Sequence, residues 1–554
     1  MNPVIEYLKN VFFYDPEHPL IFTQLFFWGF FAVVLMGYSI VYKKPMLRTV
    51  FLLAVSFFFY FKTSGFFLLI LIFTIISDYN LGRLIYRTDS RLRKKIYLAI
   101  SVIINLSLLS YFKYAYFFAE NINALAGTDI TFFNHFSHFT NTWFGTQFSV
   151  DKLILPIGIS FFTFQSLSYT IDMFRDKIEP VKNIMDYGFF VCFFPHLVAG
   201  PIVKAHDFLY QIYQPYKLTK QEFGLALFLI LNGLGKKIVA DYIAINFVDR
   251  IFENPGYYSG VEVIFGIFGY SFQIYADFSG YTDIAIGIAL LLGFRLKTNF
   301  NSPYKATSTS EFWKRWHISL SSWLKEYLYI PLGGNRKGTI GSYISIIILC
   351  FVMILLTGKI WLIYVFVAAA VIIILFSYFF PKFRHSVNTN INILVTMLLG
   401  GLWHGSSWMF IIWGGLNGLG IMIHKGWERI SPFKNNNRNW YHALTIFITL
   451  VFISFTRIWF RSDSLTTVGI IFDRISNHFG GGLFFKIISG YWIVLLVILC
   501  GYLIHWIPET TKVQYRTWFA NRPLPAMVGA SVLTVFLIYQ IVSSDMQPFI
   551  YFQF

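Results

Sequence analysis

Long uninterrupted apolar segments recur along this chain, and they constrain its fold more than any other feature. A helix needs about 20 consecutive apolar residues to span the hydrocarbon core of a bilayer. Segments near or above that length include 21–42, 96–112, 261–293, 361–380 and 491–507. A soluble chain of 554 residues could enclose a core without this bias, in which 56% of residues are hydrophobic and 13% are charged. The sequence therefore predicts an all-α, polytopic membrane protein.

No polar segment is long enough to form a separate soluble domain, and no internal repeat or low-complexity linker is evident. We therefore treat residues 1–554 as a single membrane domain. Hydropathy predicts roughly eleven or more spanning or half-spanning helices.

The net charge of +17 follows an alternating pattern along the chain. No Lys or Arg lies between Lys113 and Lys152. Basic residues cluster instead after the first and third apolar segments, at Lys43, Lys44, Arg48, Arg83, Arg87, Arg91, Arg93, Lys94 and Lys95. The positive-inside rule then places the N-terminus outside and the 83–95 loop in the cytoplasm. The distribution of charge therefore indicates membrane topology. It favours a lipid bilayer over a nucleic acid as the partner of this chain.

Proline and glycine interrupt apolar segments in the middle of the chain, at 155–158 and 194–201. Such breaks at membrane depth are tolerated only where protein or a wet cavity satisfies the freed backbone groups. Asp277 and Asp283 lie inside another apolar segment, where acids are costly. A functional role is as good an interpretation of these two acids as a structural one, either an interhelical salt bridge or the polar rim of a cavity. The middle of the chain is therefore predicted to form a hydrated chamber with half-helices.

His317 lies in a segment with helical periodicity, 310–323. Ser308 and Glu311 have the spacing of a capping box, which marks a helix start. At 100° per residue, Trp313 and Trp316 share an apolar face with later apolar residues, and His317 falls on the same side. We therefore expect one amphipathic helix along a membrane interface, with the imidazole directed into the protein.

His404 lies in the segment Leu402-Trp403-His404-Gly405, between glycines that permit close approach of other backbones. Burial would keep this imidazole neutral and able to accept a proton. A core hydrogen-bonding role and a catalytic role both fit this position. A metal site is not predicted, because no nearby histidine, cysteine or acid completes a ligand set. The chain also has no serine-hydrolase elbow, Walker loop or dinucleotide glycine pattern.

Several motifs in this order resemble the membrane-bound O-acyltransferase family, specifically its bacterial alginate O-acetyltransferase branch. Relatives in that family pass D-alanine onto teichoic acids or O-acetylate peptidoglycan. The resemblance extends over nearly the whole chain and is carried by segments 194–201, 275–283, 311–323, 329–336, 401–405 and 548–554. It implies a ring of tilted helices around a funnel, with re-entrant or half-helices.

The resemblance implies that His404 is the catalytic residue and His317 the second active-site histidine, which orients or polarises the reacting groups. We also predict substrate contacts at Trp313, Trp316, Trp403, Asp277, Asp283, Asn335 and Arg336.

The implied activity moves an acyl group, acetyl by resemblance, from a cytoplasmic thioester to hydroxyls of an exported polysaccharide. The donor would be acetyl-CoA or an acylated carrier, and the acceptor would be the polymer itself or a periplasmic partner acetyltransferase. A thioester is already activated, so no bound cofactor is expected. The expected location is the bacterial cytoplasmic (inner) membrane. The alternatives are a polysaccharide or lipid transporter gated by the broken helices, and a non-catalytic secretion subunit.

The spacing between the two histidines exceeds what we expect for the family. The apolar segment 340–381 occupies the excess and is predicted to be an inserted transmembrane hairpin. Two spans return the chain to its starting side, so the insertion can leave the other helices undisturbed. It leaves open where the basic loop around Arg336 lies.

Overall fold

The computed structural model describes residues 12–15, 19–433, 438–542 and 549–550. All regular elements in these ranges are helical, which confirms the all-α class. Of the predicted C-terminal motif 548–554, only Phe549 and Ile550 fall within the described residues. The ring-and-funnel arrangement stays an implication of the resemblance.

Most helices of the first half pack around a core rich in Phe and Tyr. In chain order they are α1 Leu25–Val41, α2 Pro45–Ser64, α3 Leu68–Arg87, α4 Arg91–Leu109, α5 Ala115–Ala126, α6 His135–Phe144, α7 Ile159–Phe174, α8 Ile184–Cys192, α9 Phe194–Leu197, α10 Ala205–Ile212, α11 Lys220–Ile243, α12 Asp249–Glu253 and α13 Gly260–Leu291. Helices α4 and α5 are joined without interruption by a π-helical turn, Ser110–Tyr114.

The second half begins with two short helices and continues with longer ones. They are α14 Thr309–Arg315, α15 Ile318–Leu324, α16 Ile340–Thr357, α17 Trp361–Phe379, α18 Pro381–His404, α19 Trp408–Ile430, α20 Asn439–Arg461, α21 Leu465–Asn477, α22 Phe484–Gly490, α23 Trp492–Trp506, α24 Glu509–Ala520 and α25 Leu524–Val542.

Six helical stretches among the described residues are long and apolar enough to cross a membrane, or seven if the bent pair α22–α23 is one span. The six are Pro45–Arg87, Arg91–Ala126, Lys220–Glu253, Gly260–Leu291, Trp361–Phe379 and Asn439–Arg461. Shorter apolar helices add Leu25–Val41, Ile340–Ile354 and Leu524–Thr534. The chain is therefore a multi-pass membrane protein, and the total of roughly eleven spans or half-spans stays a prediction.

The predicted breaks at 155–158 and 194–201 are confirmed, and they lie against each other. Gly158 has a φ of 79°, and a Cβ at this position would lie 2.8 Å from the carbonyl oxygen of Leu197. The freed backbone groups find partners inside the protein, as the prediction requires. Ile157 N–H donates to Ser64 Oγ over 3.2 Å, and Phe194 N–H donates to Ser56 Oγ over 3.1 Å.

Helices α11 and α13 cross in close contact at paired glycines. A Cβ at Gly233 would lie 2.5 Å from the carbonyl oxygen of Gly280, and one at Gly280 would lie 2.7 Å from that of Gly233. Small residues permit such close helix approach in membranes. The crossing brings the acids of α13 within reach of lysines on α11.

The predicted hairpin 340–381 consists of the apolar helices α16 and α17, separated at Gly358, whose φ is 63°. The most apolar part of helix α17 is not buried against the rest of the described protein, as expected of a lipid-facing helix. The first turn of α16 is nevertheless attached to α18, because Ser342 Oγ donates to Asn392 Oδ1 over 2.7 Å. That the hairpin is an insertion stays a prediction.

We predict that residues 345–378 can be replaced by a short polar loop without loss of folding. The replacement retains Ser342 and Tyr343, which bond Asn392 and Asn388 on α18. Acyl transfer should remain within about tenfold of the wild-type rate, since lipid-facing residues make no contact with a buried site. A correctly inserted deletion protein that has lost all transfer would assign the hairpin to the site.

Candidate active site

His404 is the last residue of α18, and 3% of its surface is exposed. Its ring centroid lies 5.0 Å from that of Trp403, 5.1 Å from Trp413 and 5.5 Å from Phe460. The flanking glycines permit this packing: a Cβ at Gly401 would lie 2.3 Å from the Phe410 carbonyl oxygen. The prediction of a buried imidazole in an apolar pocket is confirmed.

His317 is fully buried, as predicted, but the predicted continuous helix is wrong at this residue. Helix α14 ends at Arg315 and α15 begins at Ile318, with His317 between them in the left-handed conformation at a φ of 43°. A non-glycine residue pays for this conformation and needs support from its surroundings. Ile318 N–H supplies part of that support by donating to the Asn299 carbonyl over 2.9 Å.

The start of α14 agrees in part with the predicted capping box. Ser308 Oγ accepts a hydrogen bond from Glu311 N–H over 3.1 Å. The Glu311 carboxylate, however, accepts from Thr307 N–H over 2.9 Å instead of from Ser308. The acid therefore bonds one residue farther upstream than a capping box requires.

Asn299 determines which nitrogen of His317 carries the proton. Its Oδ1 accepts from Ser319 N–H over 3.1 Å, so the oxygen of this amide faces His317. His317 Nδ1 lies 3.2 Å from the same oxygen and must therefore donate to it. A neutral His317 then presents Nε2 as a hydrogen-bond acceptor. This geometry fits orienting a hydroxyl, and it does not fit donation by a neutral ring to an oxyanion.

The two histidines meet although they lie on distant helices. Their ring centroids are 6.3 Å apart. Trp403 contacts both rings, with its centroid 6.0 Å from that of His317 and 5.0 Å from that of His404. At this separation the two rings pack against each other, and His404 also lines a cavity of about 80 Å³. The pair forms a dry, aromatic-walled centre in which a polar reaction is shielded from water.

The predicted tryptophan contacts occupy different places. Trp403 contacts both histidine rings, whereas Trp316 is 1% exposed and stacks on Phe312 with ring centroids 5.5 Å apart. Trp313 packs against Trp413 with ring centroids 5.6 Å apart, so it reaches His404 only through that ring.

Asp277 and Asp283 form salt bridges between α11 and α13, the second of the two interpretations. Lys237 Nζ lies 2.8 Å from Asp277 and 2.7 Å from Asp241, and its side chain is 1% exposed. Lys236 Nζ lies 2.7 Å from Asp283. Asp277 also lines a cavity of about 510 Å³, so a substrate contact at this acid stays a prediction.

Asn335 and Arg336 lie apart from the histidines. Asn335 lines an open cavity of about 700 Å³, and its Oδ1 accepts from Tyr329 Oη over 2.7 Å. Arg336 is exposed on the same turn. The basic side chains around that cavity are His385, His424, Lys425, Arg429 and His442.

Contacts connect this cavity to the 83–95 loop. Lys94, in that loop, forms an ion pair with Asp176 over 3.0 Å. Lys177, next to Asp176 in sequence, forms an ion pair with Glu326. From Glu326 the chain continues through a turn to Asn335, which lines the cavity. His404 itself lines a different cavity, of about 80 Å³, beside 155–161 and next in sequence to the 113–152 segment. The charge pattern then predicts that the larger cavity lies on the cytoplasmic side and the smaller one on the opposite side.

We predict that reporter fusions at Asn141 and Asp89 will give opposite readings. A periplasm-active reporter should be active at Asn141 and a cytoplasm-active reporter at Asp89, because basic loops are retained on the cytoplasmic side. Cytoplasmic activity at Asn141 would reverse the assignment of the two cavities.

Asp172, His206 and Glu326 form the group with metal-ligand spacing in the described part of the chain, with donor atoms within 4.8 Å of one another. Burial would raise the pKa of Glu326, but Lys177 and Lys204 outweigh it and lower that pKa to about 2. Both lysines bond this carboxylate. Two ammonium groups therefore bond the Glu326 carboxylate, while Asp172 bonds His206 Nδ1 over 2.7 Å.

Sequence reasoning missed Asn299 and Arg457. Arg457 is 1% exposed, and its guanidinium carbon lies 4.2 Å from the centre of the Trp316 ring and 5.7 Å from that of Phe460. An arginine near the end of a membrane helix was a usable signal, since intramembrane charges default to a functional interpretation. Nothing local to Asn299 distinguishes it from a surface asparagine.

The comparisons with known proteins identify the family of this chain. Residues 97–390 match the model of the membrane-bound O-acyltransferase family. The chain is 31% identical to a peptidoglycan O-acetyltransferase of Helicobacter pylori over 472 residues, which cover 80% of this chain and 77% of the relative. It is 34% identical to a probable alginate O-acetylase of Azotobacter vinelandii over 73% of this chain and 69% of the relative. A probable alginate O-acetylase of Pseudomonas aeruginosa is 33% identical over 77% and 69% of the respective chains.

Proposed function

Because the chain belongs to the membrane-bound O-acyltransferase family and is an O-acyltransferase, we propose that it transfers an acetyl group from a cytoplasmic thioester to hydroxyls of an exported polysaccharide. The observation that carries this proposal is the buried pair His317 and His404, whose ring centroids are 6.3 Å apart, with His404 lining a cavity of about 80 Å³.

The similar proteins support acetyl as the acyl group and a polymer as the final acceptor. Two are named for alginate and one for peptidoglycan, so they share O-acetylation but differ in polymer. We therefore propose a polysaccharide acceptor, without choosing the polymer. The acetyl group reaches it directly or through a periplasmic partner acetyltransferase.

The open cavity of about 700 Å³ supports the donor side of the proposal. Its lining includes Lys425 and Arg429 together with three histidines, and the one acid among the lining residues is Glu428. Such a lining suits a donor that carries phosphates, as acetyl-CoA and a phosphopantetheine carrier both do. The cavity also includes Ser308, which caps α14, and α14 leads through Trp313 and Trp413 to His404.

In the proposed reaction, His404 acts as the general base. It removes the proton of the acceptor hydroxyl as the oxygen attacks the thioester carbonyl carbon. The tetrahedral intermediate collapses with cleavage of the C–S bond, and the proton passes from His404 to the departing thiolate. His317 contacts the His404 ring, with centroids 6.3 Å apart, and orients the reacting groups. The products are an O-acetyl ester and a free thiol.

The test uses the full-length protein in proteoliposomes with labelled acetyl-CoA or labelled acetyl carrier and a hydroxyl-bearing polysaccharide. We expect release of free thiol together with alkali-labile label on the polymer. A transporter or a structural subunit would release no thiol above protein-free vesicles. Thiol release without labelled polymer, restored by the partner acetyltransferase, would identify the partner as the immediate acceptor.

A further inference from the structure

The helix that carries His404 ends on donors supplied by another part of the chain. The last four carbonyl groups of any α-helix lack partners within the helix. At the end of α18, Tyr114 Oη donates to the Leu402 carbonyl over 2.8 Å. Lys113 Nζ donates to the carbonyls of Trp403 and His404 over 2.7 and 3.2 Å. Two consecutive residues thus hold the last three carbonyls of the helix.

The π-helical turn Ser110–Tyr114 contains both of these residues at its end. Consecutive residues of a regular α-helix diverge by about 100°, and a π turn locally changes that direction. Such turns are rare and occur frequently at functional sites. This one lies within the continuous α4–α5 helix at the level where α18 ends.

Lys113 also connects the backbone of His404 to the Trp403 ring. Its ammonium group lies 5.9 Å from the centre of that ring and donates to Ser160 Oγ over 3.4 Å. Trp403 Nε1 donates to the carbonyl of the same Ser160 over 3.4 Å. A shift of Lys113 would therefore break its hydrogen bonds to the carbonyls of Trp403 and His404. Trp403 is the residue that contacts both histidine rings.

The charge of Lys113 adds to its role as a donor. The C-terminal end of a helix carries a partial negative charge, and a cation there is stabilising. A lysine inside an apolar span is costly unless it has a specific partner. It also lines the cavity of about 80 Å³ onto which His404 opens.

We propose that Lys113 is a positioning residue for His404. Lys113 fixes the end of α18 so that the imidazole of His404 meets the reacting hydroxyl. This inference rests on the proposed role of His404 as base. It concerns the turnover step and not substrate affinity, because Lys113 bonds the backbone of the site.

The test compares Lys113→Met, Lys113→Arg and Tyr114→Phe in the thiol-release assay, each at matched protein level and unchanged thermal midpoint. Lys113→Met keeps the length of the side chain but loses the charge and donors. We expect its kcat to fall about 10- to 100-fold, with KM for the donor within about threefold, because small misplacements of a catalytic group are costly. Lys113→Arg should restore kcat to within about fivefold of wild type. Tyr114→Phe, which removes a single neutral hydrogen bond, should lose about threefold or less.

Wild-type kcat in Lys113→Met, or a rise in KM alone, would overturn the inference. If Lys113→Met does not fold, Lys113→Gln is measured instead, with the same two readings. The activity of the wild-type protein distinguishes failure of this inference from failure of the proposed function. An inactive wild type would contradict the proposed function, whereas an active wild type with an equally active Lys113→Met contradicts only the positioning role.

Discussion

His404→Gln is expected to abolish nearly all acyl transfer while leaving membrane insertion and abundance unchanged. Glutamine has about the size and hydrogen-bonding capacity of histidine, but it cannot take a proton at neutral pH. Loss of a general base costs about 10²–10⁴-fold in rate. The measurement is thiol release and polymer labelling by the purified variant, compared with wild type at equal protein.

The matched control is His505→Gln. His505 is also 3% exposed, and its Nε2 accepts from Tyr304 N–H over 3.1 Å, which a glutamine carbonyl can imitate. It lies outside the histidine pair, so its replacement should cost about fivefold or less. Equal activity of His404→Gln and His505→Gln would remove His404 from the role of base.

Lys237→Met is expected to destabilise the protein more than any other single substitution discussed above. Lys237 is the shared cation of Asp241 and Asp277, and its side chain is 1% exposed. Removing one partner of a buried ion pair costs about 3–5 kcal/mol, because the remaining charge is left without compensation. Here two carboxylates lose the same partner. A clear fall in the thermal midpoint of monodisperse protein in detergent is the expected result.

The adjacent Lys236 provides the matched control. It pairs with Asp283, but its side chain is 25% exposed and that of the acid 19%. Asp283 also accepts from Asn232 over 2.7 Å, as Asp277 accepts from Ile550 N–H over 2.8 Å, so the two lysines differ in their burial. Lys236→Met should therefore cost about 1 kcal/mol. Similar midpoints for the two variants would show that the Lys237 cluster is not a structural centre.

The sequence predicted the class of the fold because the length of an apolar segment is a local signal. It predicted the breaks before Ile159 and around Phe194 because proline and glycine act on the backbone where they occur. It also predicted the burial of both histidines, since their apolar neighbours are visible in the sequence.

The conformation of His317 could not be predicted in the same way. The signals near it, a serine cap and an amphipathic face, favour one continuous helix. The break is supported by Asn299, which lies 18 residues upstream and bonds both His317 and Ser319. The fixation of α18 by Lys113 connects residues 290 positions apart. Likewise, the apolar sequence around Asp277 indicates that this acid needs a partner, but it does not indicate that Lys237 is that partner.

In the proposed mechanism, His404 and His317 act on one reacting group. It is tested most directly by single-turnover acyl transfer in wild type, His404→Gln, His317→Gln and the double variant. Residues that act as a unit show strongly non-additive losses. We predict that His317→Gln loses less than His404→Gln, and that the double variant is no slower than His404→Gln alone. Losses that multiply in the double variant would contradict the account, because they would mean that the two histidines act independently.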